Sequence, residues 1–204
     1  MSKKYDVIAL YGASGAGKDT ILNWIVSHYP KINPIISCTT RPPREGEVNG
    51  KDYYFIDEQT FSDQIMRGEM LEATDFRGWF YGTQESALTD QTVNIGVFNP
   101  AGLSALQQNP EINLITVYVT AKDKTRLMRC LQRESDPDCD EIIRRYQTDK
   151  NDIGEYHEIF APAIVIYNDK KELDVNNLTT DYWENDLFPE KKSEAWANIF
   201  KHLR

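Results

Sequence analysis

The stretch that decides the fold is Val7-Ile8-Ala9-Leu10-Tyr11-Gly12-Ala13-Ser14-Gly15-Ala16-Gly17-Lys18-Asp19-Thr20. Its first five residues form an unbroken apolar run, the pattern of a strand buried on both faces. The residues after it, Ile21, Leu22, Ile25 and Val26, fall on one helical stripe. Between strand and helix lies a glycine-rich turn ending in lysine, and that context predicts a phosphate cradle. The glycines let successive backbone N–H groups curl inward, the helix N-terminus adds partial positive charge, and Lys18 adds a full charge for β- and γ-phosphates. Gly12, Ala13, Ser14, Gly15, Ala16, Gly17, Lys18, Asp19 and Thr20 are therefore the candidate nucleoside triphosphate-binding residues. One letter departs from the pattern. The position after the lysine, which should place a hydroxyl on Mg²⁺, holds Asp19, and Thr20 comes one residue later.

Outward from this loop, apolar runs at 93–98, 114–120 and 163–167 predict further strands, and helical stretches follow the first two. Shorter strands are expected at 35–36 and 52–56 and a helix at 58–67, with a Pro-, Gly- and charge-rich segment at 41–50 between. Alternating strands and helices imply an α/β fold with a mainly parallel sheet and right-handed crossovers. Residues 37–92 break the alternation and read as an inserted lobe. The tail carries Trp196, Ile199, Phe200 and Leu203 at helical spacing after Pro189. That pattern suits a helix docked on the core or a dimer contact.

Composition narrows the function. The chain has 204 residues, 23 Lys+Arg against 32 Asp+Glu, and a net charge of −9. Phosphate neutralisation along a duplex needs a basic surface, so nucleic acid is a poor partner and small anions held by a local cationic cluster are better ones. Cys38, Cys130 and Cys139, with His28, His157 and His202, show no zinc spacing and read as thiols of a reducing compartment. The apolar runs fall short of a signal peptide or a membrane span, which points to a soluble cytoplasmic protein without membrane contact.

A second segment names the acceptor. Ser37-Cys38-Thr39-Thr40-Arg41-Pro42-Pro43-Arg44-Glu45-Gly46-Glu47-Val48-Asn49-Gly50-Lys51-Asp52-Tyr53-Tyr54-Phe55 resembles the nucleotide-acceptor lobe of guanylate kinases almost letter for letter. The likeness continues through Phe61, Gly68-Glu69-Met70-Leu71-Glu72 and Gly78-Trp79-Phe80-Tyr81-Gly82-Thr83. With the phosphate loop and Asn168-Asp169 it covers residues 5 to about 170. The chemistry is coherent. A monophosphate dianion calls for charge-assisted bidentate donors, which Arg41 and Arg44 supply, and Tyr53 and Tyr81 can donate to its remaining oxygens. Guanine presents two adjacent N–H donors that one carboxylate accepts together. The resemblance makes Glu72 that reader, places Ser37 and Thr83 at the O6 contacts, and places Asn168 near the adenine of ATP.

Arg129 and Arg133 stand at i, i+4 on a predicted helix, with Arg144 and Arg145 about a dozen residues later, and resemble the family's lid, here at about 134–148. Arg133 and Arg145 are the favoured pair on the transferring phosphoryl group, with Arg129 and Arg144 as rivals. Two family aspartates are missing: aligned on Gly102, their positions hold Val97 and Asn99. An amide keeps the acceptor oxygen and loses the charge, so Asn99 stays a candidate GMP-binding residue. A carboxylate lost at the strand end and gained at Asp19 suggests that Asp19 has taken over the Mg²⁺ contact, against the alternative of water-mediated metal binding.

The resemblance implies a three-layer P-loop kinase core (1–36 and 93–182) with an NMP-binding lobe (37–92), a lid and a C-terminal helical tail (183–204), as monomer or homodimer. It implies ATP-dependent, Mg²⁺-assisted phosphorylation of GMP or dGMP, with Lys18, Arg41, Arg133 and Arg145 as the catalytic cations. Two alternatives stand beside it: a kinase for another or modified purine deoxynucleotide, suggested by Val97 and Asn99, and a non-catalytic guanylate-kinase-like interaction module.

Overall fold

The computed structural model describes residues 4–76, 78–133, 135–160 and 164–169, with the backbone alone for 153–160. In chain order the elements are β1 (Tyr5–Tyr11), α1 (Lys18–His28), β2 (Asn33–Pro34), β3 (Cys38–Thr39), β4 (Tyr54–Phe55), α2 (Glu58–Met66), β5 (Met70–Phe76) and β6 (Trp79–Gln84). After a 3-10 turn at Glu85–Ala87 come β7 (Asn94–Val97), α3 (Pro100–Gln108), β8 (Ile112–Thr120), α4 (Asp123–Leu131), α5 (Cys139–Phe160) and β9 (Ile164–Tyr167).

Five strands form one sheet in the order β2-β7-β1-β8-β9, and every pairing in it is parallel. The apolar run of β1 has a simple cause. Its even residues Ile8 and Leu10 pack with Ile21 of α1 and with Ile95, Val117, Val119, Ile164 and Ile166. Its odd residues Val7, Ala9 and Tyr11 pack on the opposite face with Leu103 and Leu106 of α3 and with Phe98 and Ile112. Successive strand side chains alternate in direction, so a central strand covered by helices on both sides has no polar face. The result is three layers, α/β/α. β1 lies at the centre with later strands on either side, so the loop after it opens into the crevice where such sheets bind ligands.

A second, four-stranded sheet, β4-β3-β6-β5, lies wholly within residues 38–84. β5 and β6 form an antiparallel hairpin with a register shift between Met70 and Glu72. Sequence reading found motifs in this region but no hairpin, because its alternation is broken by that bulge. α2 caps the sheet, with Asp57 accepting the Thr60 N–H at 2.7 Å as N-cap. Phe61 of α2 is buried and stacks on Phe80 of β6 at 5.6 Å.

Several expectations need correction. The strand expected at 35–36 is β2, two residues earlier, although the Ile35 N–H still bonds the Ile95 carbonyl at 2.7 Å. The strand expected at 52–56 shrinks to Tyr54–Phe55, because a turn with an isolated Asn49–Tyr53 bridge takes up its start. The helix expected at 58–67 ends at Met66 with Arg67 as C-cap. Arg129 and Arg133 do not share a helix: α4 ends at Leu131, and Arg133 lies past its C-cap, Gln132. The second half of the lid is the start of α5, so Arg144 and Arg145 are helical. The tail helix expected after Pro189 lies outside the described residues. Among the described residues no helix is long and apolar enough to cross a membrane.

Candidate active site

Both sheets and the start of α5 border one cleft of about 750 Å³. On its floor, the phosphate loop leaves β1 at Gly12, whose φ is +146°. A Cβ there would collide with the Val119 carbonyl of β8, so only glycine lets the chain turn this close to its neighbour strand. Gly12, Ser14, Gly15, Gly17, Lys18, Asp19 and Thr20 line the cleft, while Ala13 and Ala16 are buried beneath it. Lys18 Nζ donates to the carbonyls of Gly12 and Ala13 at 2.8 and 3.2 Å, folding its ammonium back over the loop. Burial lowers its pKa from the ordinary lysine value, against the pull of Asp19 and Asp149. Asp19 is exposed at the cleft wall. Asn168 is buried behind the loop, its amide donating to the Ala16 carbonyl at 2.9 Å, and it braces the loop without lining the cleft.

Across the cleft stands the arginine-bearing loop. Arg41 is 5% exposed and forms a two-pronged pair with Glu47, Nη1–Oε2 and Nη2–Oε1 both at 3.0 Å. Glu47 also accepts the Arg44 backbone N–H at 2.7 Å. It therefore ties the two arginines of the loop together. Burial disfavours the Glu47 charge, yet Arg41 and the Arg44 N–H outweigh it and its pKa falls below the usual carboxylate value. The Arg44 guanidinium has the opposite balance. Burial, then the charges of Arg41 and Arg145, lower its pKa, with Arg133 acting the same way and Glu47 opposing. Arg41, Arg44, Arg133 and Arg145 all line the cleft with Tyr53 and Tyr81, whose rings meet edge to face at 6.0 Å. Arg41 Nε is buried with no hydrogen-bond partner, a donor ready for an anion.

Of the rival arginines, Arg129 is turned toward the back of the phosphate loop, donating to the carbonyls of Gly15 and Ala16 at 3.3 and 3.4 Å. Arg144 also borders the cleft but is exposed, and both of its guanidinium contacts, at 2.6 and 2.8 Å, go to Glu141. Arg145 shares Glu141 at 2.5 Å but is half-buried at the cleft, and Arg133 lines it as well.

Deeper in, Glu72 is 7% exposed on β5. One of its oxygens accepts the Thr83 hydroxyl at 2.8 Å, and Thr83 is linked to the Ser37 hydroxyl at 3.0 Å. Burial pushes the Glu72 carboxyl up to about 7, with the Thr83 bond opposing. Of these three side chains from β5, β6 and the start of the lobe, Glu72 and Ser37 line the cleft, while Thr83 is fully buried and does not. Asn99, the N-cap of α3, accepts the Gly102 N–H at 2.8 Å and donates to Thr74 Oγ1 at 2.9 Å. Both ends of its amide are engaged inside the protein. Val97 lines the cleft as an apolar wall. Among the described residues no cluster of three or more His, Cys, Asp or Glu could hold a metal alone. A Mg²⁺ ion carried on phosphates needs only one or two protein oxygens, and Asp19 beside Lys18 and Thr20 suits that need.

A sequence model described as guanylate kinase matches residues 4–184. The chain belongs to the guanylate kinase family. A guanylate kinase of Mycoplasmopsis synoviae (strain 53) is 31% identical over 182 residues, covering 83% of this chain and 90% of its own. A guanylate kinase of Nostoc sp. (strain PCC 7120 / SAG 25.82 / UTEX 2576) is 44% identical over 85 residues, 42% of this chain and 43% of that one. The match to the Nostoc protein therefore spans under half of its length. The crystal structure of guanylate kinase from Anaplasma phagocytophilum superposes with a TM-score of 0.63 at 22% identity, over 100% of this chain and 92% of that one, which shows the shared fold.

Sequence reading missed two members of this guanylate-kinase-like site. Glu47 was visible inside the acceptor motif, but only its geometry reveals that it orders both arginines. Asp149 lines the cleft with Lys18 and accepts the Ser14 N–H at 2.8 Å from 135 residues away, a contact with no sequence signal.

Proposed function

We propose that this chain is a guanylate kinase that transfers the γ-phosphoryl group of ATP to GMP or dGMP. The observation that carries this reading is the convergence of four arginines opposite a phosphate loop, with one buried carboxylate behind them. The cluster suits a monophosphate dianion and the carboxylate suits the paired N–H donors of guanine.

An oxygen of the acceptor phosphate attacks the γ-phosphorus in line, and the bond to the β–γ bridging oxygen of ATP breaks to leave ADP. The acceptor is already anionic, so the step needs no covalent intermediate and no obligatory general base. Lys18 and the phosphate-loop N–H groups other than those of Ser14 and Ala16, which Asp149 and the Ala13 carbonyl accept, hold the triphosphate. Arg41, Arg44, Tyr53 and Tyr81 hold the acceptor phosphate, and Arg133 and Arg145 neutralise charge on the moving group. Glu72 accepts from guanine N1–H and the 2-amino group, the Ser37 hydroxyl turns to O6, Thr83 braces Glu72 and Ser37 from the buried side, and Asn99 fixes the β5–α3 corner beside them. Asp19 and Thr20 would contribute oxygens to Mg²⁺, which offsets negative charge on the β- and γ-phosphates when bound. The second sheet serves as the acceptor lobe and the α4–α5 turn as the lid, and their closure excludes water.

The test is ADP release with ATP and Mg²⁺ against GMP, dGMP, AMP, dAMP, UMP, CMP and dTMP. Preferential turnover of GMP or dGMP is expected. Preference for another acceptor would overturn the base assignment, and silence on all seven with nucleotide still bound would overturn the enzyme assignment.

A further inference from the structure

Behind the phosphate loop lies a buried ion pair that the transfer step does not use. Arg126 on α4 and Asp149 on α5 are 7% and 6% exposed and meet Nη2–Oδ2 at 3.5 Å. Both also grip one residue of the loop. The Ser14 N–H donates to Asp149 Oδ2 at 2.8 Å, and the Ser14 carbonyl accepts from Arg126 Nε at 3.1 Å. The next residue, Gly15, has φ +76° and lies so near α4 that a Cβ would collide with the Arg126 carbonyl. Arg126 is fixed in turn by Asp123 at 3.3 Å and by the Tyr146 ring of α5 at 5.4 Å. Asp149 follows Arg145 by one helical turn on α5.

We propose that Arg126 and Asp149 are a positioning pair that locks the triphosphate loop to the arginine-bearing helix α5. The proposal rests on reading this loop as a triphosphate site. The two partners have unequal duties. Asp149 takes up the Ser14 N–H and so sets the direction of the N–H groups that follow. Its carboxylate also lines the cleft, where it would repel a polyanion. Arg126 cancels that charge while holding the other side of Ser14. Because Asp149 and Arg145 share a helix, the pair also sets the distance between the loop and the lid arginine.

The test compares wild type with Asp149→Asn, Asp149→Ala, Arg126→Leu and the double variant Arg126→Leu/Asp149→Asn. ADP binding by calorimetry and kcat for GMP phosphorylation are measured beside thermal melts. Asp149→Ala removes a charge-assisted acceptor and should weaken ADP by about tenfold and lower kcat. Asp149→Asn keeps an oxygen for the Ser14 N–H and should hold ADP affinity within about threefold of wild type. Arg126→Leu removes the buried cation paired with this carboxylate and should weaken ADP by about tenfold or more, and the double variant should recover most of that loss. Equal ADP affinities for Asp149→Asn and Asp149→Ala, or no recovery in the double variant, would overturn the proposal. If Arg126→Leu does not fold, the Asn–Ala comparison decides alone. ADP binding needs no acceptor, so wild type that binds ADP without phosphorylating GMP would refute the kinase reading while the pair is still tested.

Discussion

Replacing Glu72 by glutamine should make the protein more stable and far less able to use GMP. The carboxyl is 7% exposed, and burial pushes it from the ordinary 4.5 up to about 7. Below about pH 4.5 the group is protonated in both folded and unfolded chains, and it takes nothing from stability. Between 4.5 and 7 the unfolded chain ionises while the folded one keeps its proton, so stability falls as pH rises. Above about 7 the deficit is level, and at about 1.4 kcal/mol per pH unit it amounts to about 3 kcal/mol. A neutral amide of the same shape escapes that cost. At pH 8 the Glu72→Gln protein should therefore melt about 6–12 °C higher than wild type, and the gap should close toward pH 4. Guanine recognition runs the other way. An amide offers one acceptor and one donor to two N–H donors, so kcat/KM for GMP at pH 8 should fall about a hundredfold or more. In wild type, kcat/KM should also drop about tenfold per pH unit below pH 7 as the carboxylate takes up its proton. The variant should keep only the limb from the acceptor phosphate, whose own pKa is about 6, so its decline should begin about one pH unit lower. Urea or thermal melts from pH 4 to 8, paired with initial rates, provide both readouts. A Glu72→Gln protein no more stable than wild type at pH 8, or equally stabilised at pH 4 and 8, would refute this account of the carboxylate.

Arg133→Ala and Arg145→Ala should each lower kcat about a thousandfold with little change in KM for ATP. By contrast, Arg144→Ala, which removes an exposed pair with Glu141, should stay within about threefold of wild type in steady-state assays. Glu47→Ala strands the buried Arg41 guanidinium and should cost about 2–5 kcal/mol in urea unfolding. Saturating GMP should restore part of that loss, because its phosphate supplies the missing anion. Asp19→Ala should raise the Mg²⁺ concentration for half-maximal rate about tenfold or more, and an unchanged Mg²⁺ titration would place the metal elsewhere.

The most legible parts of this chain are those whose signal is local. A five-residue apolar run before a glycine turn and a helical stripe can only be a covered strand feeding a helix, and β1, its loop and α1 are found there. The acceptor motif falls in short segments at 37–55, 68–72 and 78–83 whose resemblance to guanylate kinases names Arg41, Arg44, Tyr53, Glu72, Tyr81 and Thr83 from sequence, and all but Thr83 line the cleft. The β5–β6 hairpin is hidden by its bulge; of the two-residue strands, β2 and β4 are shifted or shortened against expectation and β3 has no sequence signal, because such short pairings leave almost no periodicity.

Charge and orientation were decided by tertiary structure. Sequence spacing put Arg129 and Arg133 on one helix face; the early end of α4 turns one toward the back of the phosphate loop and leaves the other at the cleft. The role of Glu47 comes from the fold of its loop, which brings its carboxylate to within 3.0 Å of Arg41. The ionisation of Glu72 is set by desolvation, which depends on how α3 closes over β5 and which no spacing encodes. Asp149 reaches Ser14 only because parallel strands return the chain repeatedly to the same end of the sheet. Periodicity along the chain determines which elements form. The electrostatics of the site arise between elements, where distances and burial exist only once the sheet has assembled.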